Sequence, residues 1–308
     1  MVDPVAAPVT VTGSTLPDGT PDGPPGADGS GRQHNGPGGS ERPGRWAPYR
    51  AVLASRLRAQ RAYPASFAMD LAGSLLIGVT EFAEVWVIFH NVTVLGGLDF
   101  HAILLLFGLS NLAFSLADLL VGHLDTLPTY LRTGTMEAFY LRPLPVLLQM
   151  MTSEIALRRL SRTAVAVAAL VAGLVVNDIT WDAGTIGLLA IAVVAGTGIF
   201  AGLFTIAAGV QFFFINGAEL TNSFTYGGSY AAAQPASVFP GPLKLVFGYL
   251  IPVAFTAYLP TLAILRLPGP AGLPSALAWY TPVAAVWVWL LALGAWRLGM
   301  RHYQGGGG

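Results

Sequence analysis

Residues 185–214 read TIGLLAIAVVAGTGIFAGLFTIAAGVQFFF, thirty positions without a charged side chain. A bilayer core of about 30 Å needs about 20 apolar residues in a helix, so this run is a membrane span with length to spare. Five further stretches have the same character: Phe67–His90, Phe100–Val121, Ile155–Val176, Leu243–Leu265 and Tyr280–Leu298. The third of the six spans, Ile155–Val176, is the weakest, because Arg158, Arg159 and Arg162 occupy its first half. It spans if those arginines reach for the interface. The expected fold is therefore an all-α membrane protein of six transmembrane helices. Composition agrees. Hydrophobic residues make up 54% of the 308-residue chain and charged residues 10%, against roughly 25% charged in soluble proteins.

The flanks differ from this body. Residues 1–45 hold 10 Gly and 8 Pro and few large apolar side chains, so they read as a disordered tail. In this tail the first arginine is Arg32 and no apolar run precedes it, which is unlike a secretory signal. The segment 46–63, WAPYRAVLASRLRAQRAY, gathers Trp46, Tyr49, Val52, Leu53, Leu57 and Tyr63 on one side of a helical wheel. Arg50, Arg58 and Arg61 fall beside or opposite it, while Arg56 breaks the pattern. A basic amphipathic helix lying on the membrane surface is expected there. The membrane-embedded body then runs over 64–300, with a long internal connection at 123–154, and 301–308 is a flexible end.

Charge fixes the expected orientation. With the N-terminus inside, the inner connections and termini carry fifteen Lys and Arg residues, and the outer loops carry only Arg266. Such asymmetry places both termini in the cytoplasm and favours an even number of spans. Trp181, Trp279 and Tyr280 then fall at the outer boundary, where amphipathic rings gather.

Several chemistries are absent. The net charge is +0, so no basic field attracts nucleic acid, and there are no cysteines for metal or thiol chemistry. A phosphate-binding loop needs a lysine, and Lys244 lacks the glycine setting. The five histidines show no zinc-binding spacing, so no metal is expected. No catalytic residues and no bound cofactor are expected on the chain.

Polar groups inside the spans are the unusual feature. Asp70, Glu81 and Glu84 share one face of the first span, Asn111 and Asp118 lie in the second, and Glu219 follows the fourth. Two central carboxylates cost roughly 5–7 kcal/mol on the insertion scale, about what the apolar residues of that span return. This face therefore turns toward protein or water. The acids either line a substrate path or carry protons, or they pair with basic residues near the inner boundary. Gly198 and Gly202 form a G-x-x-x-G, which permits close helix packing.

The internal connection reads HLDTLPTYLRTGTMEAFYLRPLPVLLQMMTSE over 123–154. Pro128, Gly134, Pro143 and Pro145 divide it into short helical pieces. Met136, Phe139, Tyr140 and Leu141 give an apolar surface flanked by Arg132, Glu137 and Arg142, suited to a partner's groove or to lipid headgroups.

Two blocks carry a family resemblance. Leu131-Arg132-Thr133-Gly134-Thr135-Met136-Glu137 and Tyr140-Leu141-Arg142-Pro143-Leu144 resemble the R-x-G-x-[LM]-[DE]…L-L-R-P-L signature of a bacterial ABC exporter permease family of the type-2 class. Asn222-Ser223-Phe224-Thr225-Tyr226-Gly227-Gly228 resembles its N-A-F-T-Y-G-G element, and the stretch from Pro235 to Pro260 resembles its proline-rich run. Met136, Glu137 and Gln234 depart mildly from the pattern. The resemblance covers about residues 49–265. It implies an exporter-like permease fold with an N-terminal interfacial helix, a cytoplasmic coupling helix at 123–154, and an outer gate between the last two spans with a re-entrant piece near Pro268–Pro274. It implies two P-loop ATPase subunits that bind Mg-ATP, and a second permease subunit, non-identical or identical. It places the chain in the bacterial inner membrane, among lipid. Arg132, Gly134, Glu137, Tyr140, Arg142 and Pro143 are then the candidates for ATPase coupling. Other readings stay open: a proton-coupled secondary transporter using Glu81 or Glu84, a membrane-embedded enzyme, and a receptor or scaffold.

Overall fold

The computed structural model describes residues 64–141, 143, 145–153, 158–214, 218–270 and 273–303. The Pro/Gly tail, the amphipathic segment 46–63, Arg142 and the last five glycine-rich positions lie outside the described residues. The helices are α1 (Pro64–Asn91), α2 (Phe100–Val121), α3 (Leu127–Arg132), α4 (Glu137–Tyr140), α5 (Val146–Ser153), α6 (Arg158–Val176), α7 (Ala183–Gln211), α8 (Ala218–Ala232), α9 (Gly241–Leu245), α10 (Tyr258–Ile264) and α11 (Thr281–His302). Among the described residues there is no strand. The protein is an all-α membrane protein. Four helical stretches are long and apolar enough to cross a bilayer: Phe100–Arg132, Arg159–Val176, Ala183–Gln211 and Ser275–His302.

Carboxylate caps start two of these helices. Asp99 accepts from the Ala102 amide at 2.9 Å and Asp182 from the Thr185 amide at 2.7 Å. Each satisfies a free N–H and places negative charge at the positive end of the helix. Glycines then set the packing. A Cβ at Gly108 of α2 would lie 2.5 Å from the Leu170 backbone of α6, and one at Gly173 of α6 would lie 2.6 Å from the Leu105 backbone of α2. These two helices thus run antiparallel, backbone to backbone. The α7–α11 seam is made the same way. A Cβ at Gly202 would meet Val288 at 2.6 Å, and Gly209 and Gly299 bring the two backbones together further along. The second glycine of G-x-x-x-G is thus spent within the chain. Gly198 instead opens an apolar groove beside Trp289 and Leu290.

The two ends of the bundle can be told apart by their hydrogen bonds. Asn177 donates to the His101 carbonyl at 2.8 Å, so the 92–99 and 177–182 loops share one end. Ser237 donates to the Gly96 carbonyl at 2.6 Å, and Arg266 pairs with Asp182 at 2.9 Å. The segment between Ser237 and Arg266 therefore leaves from and returns to that same end. It comprises two helical stretches, Gly241–Leu250 and Val253–Ile264, bent by 69°. A Cβ at Gly196 would lie 3.2 Å from the Thr256 carbonyl. Gly196 lies about 20 Å along α7 from its first residue, at 1.5 Å per residue, so the bend reaches deep into the bundle.

The expected fifth span, Leu243–Leu265, is thus not one straight helix: it is bent by 69°, and its two flanks lie at the same end of the bundle, the geometry of a re-entrant segment. Pro252 cannot supply a helical N–H, and the chain breaks there. Irregular backbone at that depth is tolerated only where protein encloses it. Every residue from Val253 to Leu259 is buried. Thr256 donates to the Val253 carbonyl at 2.6 Å and Thr281 to the Phe255 carbonyl at 3.2 Å. The link between the two ends is made instead by α8, which starts near the far end of α7 and leads to Pro235 and Ser237. Lys244 moves with the re-entrant segment, so the charge division becomes fourteen to two and keeps its sign.

Candidate functional site

The expected polar residues converge on a furrow between α1, α2, α6 and α8. Glu81, Glu84, Phe107, Asn111, Arg162 and Tyr230 line a cavity of about 110 Å³, with Tyr226, Ser229 and Gln234 at its α8 wall. Glu81 and Glu84 sit three residues apart on α1, close to one face of the helix. Arg162 of α6 bonds Glu81 at 3.1 Å and lies over the Phe114 ring at 4.8 Å. Glu84 accepts from the Tyr230 hydroxyl. Asn111 donates to the Phe107 carbonyl at 3.1 Å, within its own helix.

One turn before Arg162, Arg159 lies 3.4 Å from the Asp118 carboxylate and donates to the Asp118 carbonyl at 2.8 Å. A Cβ at Gly122 would lie 2.1 Å from the Asp118 carboxylate, so only glycine leaves room for this pair. The arginines that weakened the sixth helix as a span thus join it to two neighbours. Charges in a low-dielectric interior persist when paired in this way. Glu219 is different: it is exposed in the first turn of α8, away from the furrow. Asp70 lies on α1, and its side chain is outside the described ones.

The Asn222–Gly228 motif forms the middle of α8. Thr225 is buried, and the Tyr226 ring packs on Phe114 and Phe204. Its hydroxyl donates to Asp125 at 3.3 Å. Asn222 is half-buried and Phe224 half-exposed. Gly227 and Gly228 cost roughly 1 kcal/mol each against alanine in a helix. Yet a Cβ at either would meet nothing within 4 Å. Sequence reasoning missed Tyr230, Ser229 and Gln234. Their spacing from Tyr226, along one side of a helix, was the available signal.

The 122–153 connection lies at the other end. Thr133 closes α3, and Gly134 takes φ +68°, which turns the chain into α4. Met136 is fully buried. That corrects its place on the expected partner surface: the turn folds its side chain inward. Phe139 packs on Tyr130, and Leu141 is 87% exposed. Tyr140 stacks on Tyr303 and donates to the Met300 sulfur at 3.4 Å. Arg132, Glu137 and Pro143 are exposed. The short pieces α3 and α4 form a platform that touches the end of α11 through Tyr140.

A model of the ABC-2 family transporter protein matches residues 75–307. The chain belongs to the ABC-2 transporter permease family. No curated protein matches the chain, and no solved structure does. The matched region takes in α1 from Leu75 onward and every later helix, so furrow and platform both belong to the ABC-2 permease. It is a membrane permease component of an ABC transporter, a transport subunit.

Proposed function

We propose that this ABC-2 permease is the gate of an ATP-driven exporter in the bacterial inner membrane. Its six spans are α1, α2, α6, α7, α8 and α11, with both termini cytoplasmic. Two separate P-loop ATPase subunits hold Mg-ATP and dock on the α3–α4 platform. A second permease subunit, identical or not, covers the open side of α8. The observation that carries this reading is the platform itself. Exposed Arg132, Glu137, Tyr140 and Leu141 stand on a segment clamped to α11, so a push there reaches the spans. Nucleotide drives the change only through its different affinity for the inward- and outward-facing states.

The second permease is supported by α8. Ser223 and Gly227 are exposed one turn apart on α8, and small residues let helices approach closely. Arg142 and Pro143 are proposed to hold the ATPase, through the charge of one and the turn of the other. Gentle detergent extraction of the tagged chain is expected to bring down a P-loop ATPase in fixed ratio. Arg142→Glu and Glu137→Arg are then expected to abolish the ATPase stimulation while the chain still reaches the membrane. Normal stimulation in both variants would remove the coupling role. The proton-coupled reading would use Glu81 or Glu84, and Arg162 holds the first in an ion pair. Uptake driven by a proton gradient with the lone chain in vesicles would favour that alternative.

A further inference from the structure

The furrow is asymmetric in charge. Its lining carries two carboxylates and one guanidinium. Glu81 and Arg162 neutralise each other at 3.1 Å. The Asp118–Arg159 pair closes on itself one turn away and does not line the furrow. That leaves the Glu84 charge, whose hydrogen bond among the described residues comes from the neutral Tyr230 hydroxyl. Aromatic residues share the cavity with it: Tyr230, Tyr226 and Phe107 are all in its lining. Ring faces attract cations, and quaternary ammonium groups are the best-suited guests of such a setting.

We propose that the furrow binds one small monovalent organic cation of the quaternary ammonium class, its charge facing Glu84 and its alkyl groups against Tyr226, Tyr230 and Phe107. The alternatives fit less well. An inorganic divalent ion needs several oxygen ligands, and no group of three metal-ligating side chains occurs among the described residues. An anion would meet a carboxylate with no cationic partner among the described residues, and an arginine already engaged. A neutral guest would remove water from Glu84 without replacing it, at a cost. Size fits as well. At about 10–15 Å³ per water-sized occupant, a cavity of about 110 Å³ has room for roughly seven to eleven non-hydrogen atoms. Only the description of this guest as cargo rests on the exporter reading; the binding stands on the furrow alone.

The test is equilibrium binding of radiolabelled tetraethylammonium to the full chain in nanodiscs, without nucleotide or ATPase. Saturable binding is expected, at one molecule per chain. The uncharged isostere 3,3-diethylpentane should not compete. Glu84→Gln is expected to weaken binding about tenfold or more, Glu84→Asp to retain most of it, and Tyr230→Phe to keep it through the ring. Absence of saturable binding in the unmodified chain, equal competition by the isostere, or undiminished binding in Glu84→Gln would overturn the proposal. The binding assay and the ATPase co-purification are separate readouts, so cation binding without a co-purifying ATPase would count against the exporter reading and leave the site standing.

Discussion

Arg159 and Arg162 turn two acids in the spans into ties between helices. Both members of the Asp118–Arg159 pair are largely buried, with 9% and 14% of the side chains exposed. Removing one partner strands the other in a medium of low dielectric, which costs about 3–5 kcal/mol. Arg159→Ala is therefore expected to lower stability by about that amount in a thermal or denaturant titration. Asp118→Asn combined with Arg159→Gln should recover part of the loss, because the paired carboxylate goes with its cation, although Asp125, which also interacts with Arg159, loses that partner. Gly122→Ala should resemble the single variant, since its methyl group would occupy the pair's own space. The pairing was half legible beforehand. Acids and arginines in spans announce that partners exist, but sequence spacing cannot say which helix brings which partner. Asp118 and Arg159 lie 41 positions apart, and Glu81 and Arg162 lie 81 apart.

Helix starts and seams obey local rules that were easier to read. Asp182 caps α7, and its carboxyl is held below its ordinary 3.8, first by the Thr185 amide and then by Arg266. A lowered value in the folded chain means the stabilising contribution is present above 3.8 and is lost as pH falls through the lowered value. Asp182→Ala is expected to melt below the unmodified chain at neutral pH, with the two curves converging in acid. A constant gap across the range would show that the cap acts without its charge. Along α7, the thirty-residue uncharged run identified its helix closely because apolar length is a sufficient signal for a span. The helix α8 was hidden for the opposite reason. It is short and carries Asn222, Ser223, Thr225 and Ser229, so hydropathy gives it to a loop, and only its neighbours reveal it. Tyr140 and Tyr303 mark another junction between elements. With both replaced by cysteine in this cysteine-free chain, ATPase stimulation should be the same in the oxidised and the reduced form if α4 and α11 move as one body. Loss of stimulation on oxidation, restored by reduction, would show that they must separate.

Topology is the test that involves every helix at once. The re-entrant reading places Lys244 on the same side of the membrane as the 92–99 loop. Single cysteines at Lys244 and Val94 should therefore react with a membrane-impermeant maleimide from one side, and Thr129→Cys from the other. Labelling of Lys244→Cys together with Thr129→Cys would restore the simple fifth crossing. The charge count alone could not have decided this, because moving one cation from fifteen to one into fourteen to two leaves the asymmetry in place. The proline pattern around Pro240, Pro242, Pro252 and Pro260 warned that the stretch was broken. It did not say whether the two halves continued through the bilayer or turned back.

The glycine contacts have a mechanical consequence. Where α2 meets α6 and where α7 meets α11, backbones touch, and neither pair can slide without collision. Between the pairs, α2 meets α7 through the rings of Phe114, Phe200 and Phe204, and Tyr226 of α8 packs on two of these rings. The bundle is thus built from two stiff beams, and a rearrangement is expected to shift each beam as a unit rather than to slide its two helices past one another.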